Sequence, residues 1–110
     1  MTDTHDRPML RNAREAADSY LLHKVVDDGM ASGVAQNMAT VGFATAARTL
    51  STLRTRDGLS EDAIEQGFRR KLAEARAAGD EQRVIAAEYT LAIWGGLRTD
   101  LAAYLGSVGE

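Results

Sequence analysis

Residues 84–97 read VIAAEYTLAIWGGL, and this run restricts the possible folds more than any other part of the chain. Eleven of its fourteen residues are apolar or glycine, and only Glu88, Tyr89 and Thr90 carry polar groups. Wound at about 100° per residue, the apolar side chains pass almost all the way round, leaving a narrow polar strip near Glu88 and Thr99. A helix that is apolar on nearly every side is normally buried on nearly every side. The run is also too short to cross a bilayer, which takes roughly 20 residues. It predicts the central helix of a small bundle, which the remaining helices must cover.

The other helices follow from period and end signals. Asp6 before Arg7-Pro8 resembles a helix start, and Leu10, Ala13, Ala17, Leu21 and Val25 then recur at helical spacing up to Gly29, a C′ glycine. This predicts a first helix over 8–28. Ser32 is the expected N-cap of a second, whose stripe is Ala35, Met38, Ala39, Gly42, Ala46, Thr49, Leu50 and Leu53, ending near Asp57-Gly58. Its first half is small-sided, which suits close helix pairing. Ser60 with Glu61 and Asp62 marks the third start, and Leu59 can staple to Ile64. Ile64, Gly67, Phe68, Leu72 and Ala75 form that helix's inner face up to Gly79, and Asp80 caps the fourth. Gly95-Gly96 inside the fourth helix costs roughly 1 kcal/mol per glycine against alanine, so it marks either a kink or a close backbone approach. Leu97, Leu101, Tyr104 and Leu105 continue the apolar pattern to a stop at Gly106. No strand alternation and no internal repeat is visible. The expected architecture is all-α, a small antiparallel bundle of about four helices: a tail over 1–7, one helical domain over 8–106, and a tail over 107–110.

Composition narrows the chemistry. One hundred and ten residues fit a single domain, and a net charge of −3 is too small to imply a polyanionic ligand. The absence of cysteine excludes disulfides, thiolate metal sites and cysteine nucleophiles. Nineteen alanines and ten glycines against six aromatic residues mean a core of small side chains, filled only if helices approach closely. The acidic, polar start MTDTHDRP has no secretory pattern, and the expected location is cytoplasmic.

Each candidate for chemistry has a plainer competitor. His5 falls in the tail. His23 has Asp27 one turn on and Asp18 nearby, but two potential ligands do not define a metal site, so no metal or cofactor is expected. Glu88, inside the apolar run, is either a perturbed carboxylate or the one solvent-facing strip of its helix. Residues 48–76 hold seven cations and five acids, Arg48 and Arg76 bounding the segment. The part over 53–68 loosely resembles a helix-turn-helix, yet Arg54 and Asp57 stand where that motif's packing asks for small and apolar residues. Nucleic acid is therefore a disfavoured partner, and its reading would rest on Arg48, Arg54, Arg56, Arg69 and Arg70. A ligand-binding or catalytic bundle centred on Glu88, Tyr89 and Trp94 is a further alternative. No phosphate loop, nucleophile elbow or dinucleotide fingerprint is present.

The preferred expectation is a non-enzymatic interaction protein, with no catalytic residue, that buries apolar helix surface against another protein chain, itself or a different one. Its role would be that of a regulator, inhibitor, adaptor or chaperone, and a homodimer is one form of it. The residues singled out for partner binding are Met38, Gly42 and Ala46 on the second helix, Arg69 and Arg70 on the third, and Trp94 and Tyr104 on the fourth. The motive is that the fourth helix offers more apolar circumference than three short neighbours need cover and the second offers a small-residue face, so surface from the second or the fourth helix is expected to be buried by another chain.

Overall fold

The structure, a computed structural model, describes residues 10–108, with side chains described over 10–100. Among the described residues four helices follow one another. Helix α1 is Arg11–Asp28 and α2 runs in three continuous parts, Ser32–Asn37, a π-helical turn Met38–Gly42, and Phe43–Thr55. Helix α3 is Glu61–Ala78 and α4 is Glu81–Val108. Among the described residues there is no strand. Helix α4 packs against all three others. Cross-contacts fix the directions: Asn12 meets Asp100 while Tyr20 meets Glu88, and Arg98 meets Glu61 while Arg76 meets Glu88. Both α1 and α3 are thus antiparallel to α4. Arg14 reaches the Ala39 carbonyl and the Phe43 ring, whereas Leu22 and Val25 share a groove with Ala35 and Gln36, which sets α2 antiparallel to α1. The result is an up-down-up-down bundle. Its thinnest extent is 18 Å, about two helix diameters.

The expected end signals operate locally. Gly29, Gly58 and Gly79 adopt left-handed φ of 74°, 68° and 69°, a conformation that costs a residue with a Cβ. Ser60 Oγ accepts from the Ala63 amide at 3.1 Å, and Asp80 Oδ1 accepts from the Arg83 amide at 3.2 Å. Three boundaries differ from expectation. Helix α1 begins at Arg11, and the proposed start at Asp6-Arg7-Pro8 lies outside the described residues, as do the tail over 1–7 and residues 109–110. Ser32 lies within the first turn of α2; the capping position is Ala31, which makes no side-chain bond. Helix α4 continues past Gly106 to Val108, glycine being as compatible with a helical conformation as with a stop.

The π-helical turn was not legible in the periodicity, and it shifts the buried face of α2. Past the extra residue of that turn the buried positions are Phe43, Ala47 and Leu50; of the expected stripe Leu50 is buried, Gly42 and Ala46 are half-buried, and Phe43 and Ala47 join from outside it. Thr49 is exposed. The turn has identifiable supports. Tyr89 Oη donates to the Met38 carbonyl at 2.9 Å, and the Tyr89 ring lies 3.5 Å from where a Gly42 Cβ would stand. Thr40 Oγ1 donates to the Gln36 and Asn37 carbonyls at 3.2 and 3.1 Å, covering carbonyls that the π geometry frees.

The core is built on α4. Tyr89, Ile93, Trp94 and Leu97 are buried against Ala13, Ala17 and Leu21 of α1, Phe43, Ala47 and Leu50 of α2, and Ile64 of α3. The question left by Gly95-Gly96 resolves asymmetrically. A Cβ on Gly95 would meet nothing within 4 Å, whereas one on Gly96 would run into the Asn12 carbonyl and sit 2.6 Å from the Ala13 amide nitrogen. The helix passes through the pair without interruption, so Gly96 is a seat for the first turn of α1.

Candidate interaction surface

Two polar clusters and one apolar face are the features from which a function must be built. The first cluster seats α1. Asp100 is only 3% exposed, and its two carboxylate oxygens accept from the Asn12 amide at 3.1 Å, Asn12 Nδ2 at 2.8 Å and the Ala13 amide at 2.9 Å. The first amides of a helix have no partner inside it, and Leu10 at the capping position supplies none. Asp100 therefore caps α1 from 88 residues away, its negative charge at the positive end of the helix dipole.

The second cluster joins three helices at Glu88. Its carboxylate accepts from Tyr20 Oη at 2.7 Å and from Arg76 Nη2 at 3.2 Å, and Lys24 Nζ lies 3.6 Å away. Of the two readings left open for Glu88, the solvent-facing one does not hold: its side chain is 24% exposed, and α1 and α3 both reach it. Burial pushes its pKa up, but the bonds from Tyr20 and Arg76 and the charges of Lys24 and Arg76 outweigh that, and the net shift is downward. Burial and the same bond push the Tyr20 phenol well above its usual range. Glu88 is accordingly an ionised structural acceptor. It holds no proton to donate at neutral pH, and its oxygens are already occupied.

A linked prediction follows. A carboxylate whose folded pKa lies below its ordinary 4.5 contributes stability above pH 4.5 and loses it as pH falls through the folded value. Glu88→Gln is expected to lower stability by about 1 kcal/mol at neutral pH. Urea titrations at successive pH values should show the gap to the parent chain closing below pH 4.5; a gap that persists undiminished to about pH 3 overturns this account of the cluster.

The residues expected to bind a partner do not converge on one surface. Met38, Gly42 and Ala46 are half-buried; Met38 and Ala46 pack on the core and Gly42 lies against Tyr89, so all three serve the chain's own packing. Trp94 is 1% exposed and fills the core, with its indole Nε1 lacking an acceptor among the described residues. Arg69 is paired with Glu65 at 2.9 Å, and Arg70 is exposed. The Tyr104 side chain lies outside those described. In the basic segment Arg54, Arg56 and Arg76 lie within ion-pair distance of Glu61, Asp57 and Glu88, while Arg48, Arg70 and Lys71 are exposed with no ion pair among the described residues. Among the described residues no group of three His, Asp or Glu is placed to hold a metal ion, and no helix is long and apolar enough to cross a membrane.

Exposed apolar surface is present on α2, one of the two helices expected to carry it, and also on α1. Within 84–97 only Ala86 and Gly95 are exposed, because α1, α2 and α3 cover the rest. The exposed large apolar side chains are Leu22 and Val26 on α1 (64% and 70%), Val34 and Val41 on α2 (51% and 61%), and Leu59 in the α2–α3 turn (40%). Leu22 and Val26 are one turn apart on one side of α1. Leu22 and Val25 line a shallow groove of about 320 Å³ with Ala35 and Ala39 of α2. Around the end of the same helix pair, Met30 and Val34 line a larger groove of about 640 Å³ with Val84 and Ile85 of α4, rimmed by Lys24, Asp28, Arg76 and Glu81. The sequence did carry a signal for this face: from Gly29 to Ala47 no residue is charged.

Comparison with protein-family models, with curated proteins and with solved structures finds no match for this chain. Function must be argued from the surface itself.

Proposed function

We propose that this chain is a non-enzymatic interaction protein whose working surface is the α1–α2 face, and that it acts by docking another protein chain there. The observation that carries this reading is the grouping of Leu22, Val26, Val34 and Val41 on two adjacent helices, all more than half exposed. Single exposed apolar residues are ordinary; several on neighbouring elements, bordering grooves lined by further apolar side chains, mark a surface that gains by leaving water. The polar clusters favour the same reading over catalysis, since Glu88 and Asp100 are both consumed in holding α1 against α4.

The test is site-specific photo-crosslinking in cells. A photoreactive residue at position 26 or 41 is expected to give covalent adducts with a protein chain, whereas the same residue at exposed Gln66 on α3 should give none. If positions 26 and 41 crosslink no better than position 66, the docking reading fails.

A further inference from the structure

We infer that residues 30–42, the first half of α2 and the turn that leads into it, form a hinged strap latched by the Tyr89 hydroxyl. The strap swings away as a unit while the rest of the bundle stays folded.

Little holds this segment down. Among the described residues from Leu22 to Gly42 none is buried. Met30, Ala35, Met38 and Ala39 touch the core cluster, and only the two methionines are sizeable. No residue from 29 to 47 carries a charge, so no ion pair ties the strap to its neighbours. Nor does its backbone reach the central helix: no Cα of Ser32–Gly42 lies within 8 Å of a Cα of α4, whereas Phe43–Thr55 does approach it. The gap is the groove of about 640 Å³, with Met30 and Val34 on one wall and Val84 and Ile85 on the other. On the opposite flank Ala35 and Ala39 leave the groove of about 320 Å³ against Leu21, Leu22 and Val25 of α1. A segment with few buried apolar contacts and open space on both flanks opens at a far lower cost than the whole fold.

Hinges bound the strap. Gly29, with its left-handed φ of 74°, lies at one end. The π-helical turn Met38–Gly42 interrupts the α-helical ladder at the other, just before Phe43, which is 3% exposed and anchored in the core. Two bonds close it, and in both the body donates while the strap accepts. Arg14 Nη1 donates to the Ala39 carbonyl at 2.6 Å, in an exposed place where water can substitute. Tyr89 Oη donates to the Met38 carbonyl at 2.9 Å from a side chain that is 3% exposed. Tyr89 is therefore the latch, since a bond made away from water is the harder one to replace. Helix α1 does not follow the strap, because Tyr20 and Lys24 both tie its second half to Glu88 of α4.

Opening needs no partner, so the strap stands or falls apart from the docking reading. Its bearing on that face is that Val34 and Val41 ride on the strap while Leu22 and Val26 stay on α1. Only the closed form presents all four together.

Hydrogen exchange of the purified full chain, followed amide by amide by NMR in urea below the unfolding transition, tests this. Corrected for intrinsic rates, amides 36–42 are expected to exchange at least about a hundredfold faster than those of 14–21 and 91–97, with little dependence on urea. Ile64→Val weakens the core from α3, none of whose Cα atoms lies within 8 Å of one in Ser32–Gly42. It is expected to speed amides 14–21 and 91–97 about fivefold and to leave 36–42 unchanged, because residue 64 keeps its contacts whether the strap is open or closed. Tyr89→Phe removes the latch hydroxyl but keeps the ring, and is expected to speed amides 36–42 about fivefold. Helical circular dichroism at the parent level shows that both variants are folded. Amides 36–42 as slow as 14–21, or accelerated by Ile64→Val in step with them, mean that the segment opens only with the whole fold and overturn the strap. Unchanged exchange at 36–42 in Tyr89→Phe overturns the latch.

Discussion

Gly96→Ala is expected to destabilise the bundle by about 3 kcal/mol, while Gly95→Ala, one residue earlier, is expected to stabilise it by up to about 1 kcal/mol. Both replace a glycine inside α4, and both gain the same helix propensity. They differ in what the new methyl meets. At position 95 it enters open space, so only the reduced backbone freedom of the unfolded chain counts. At position 96 it collides with the Asn12 carbonyl and the Ala13 amide, which are backbone atoms of a helix turn and have no alternative rotamer. Relief requires α1 to lift away from α4, which would pull Ala13 and Ala17 out of the core. Chemical denaturation of the two single variants measures this directly. Equal effects of either sign would show that Gly96 is not a seat for α1.

Asp100→Ala is the second large effect, a loss of about 3 kcal/mol. It removes a buried carboxylate that accepts three hydrogen bonds and leaves the Asn12 and Ala13 amides without partners at a helix end. An exposed N-cap is worth about 1 kcal/mol; the larger figure here reflects burial, since water cannot readily take over. Asp100→Asn keeps the size and an acceptor oxygen and should lose less. Because Gly96 and Asp100 hold the same turn of α1, the double variant Gly96→Ala/Asp100→Ala is expected to lose less than the sum of the two. Strict additivity would mean that the two residues act on separate parts of the fold.

Most of the architecture was readable because its determinants are local. Gly29, Gly58 and Gly79 end helices through their own φ, and Ser60 and Asp80 begin them by bonds to residues three positions away. The inner faces of α1 and α3 follow the apolar period without interruption. What the sequence hid depends on register between distant segments. Nothing near Asp100 indicates that its partners are Asn12 and Ala13, and nothing near Glu88 names Tyr20, Lys24 and Arg76. The π-helical turn is a similar case. One of its supports is the Tyr89 side chain from another helix, and past it Phe43 and Ala47 take inner positions while Gly42 and Ala46 stand half-buried and Thr49 is exposed. The apolar surface of α1 was hidden for a related reason: Leu22 and Val26 are exposed there although the expectation named only the second and fourth helices. Counting apolar residues around 84–97 measures how much must be covered, but the supply of cover depends on how closely alanine-rich α1 and α2 approach. They approach closely enough to bury Ala87, Tyr89, Ile93, Trp94 and Leu97 of that run, while Val84 and Ile85 stay partly open and the most exposed large apolar side chains lie on the outer sides of α1 and α2.

The order of the helices has a bearing on biosynthesis. Asp100 and Gly96, which seat α1, are synthesised after all of α1, α2 and α3. While those three emerge from the ribosome, the helix that buries their inward alanines, Phe43 and Leu50 is still missing, and they have only one another to pack on. Docking of α1 must await translation of the far half of α4, so the nascent chain spends most of its elongation with sticky intermediates in need of shielding.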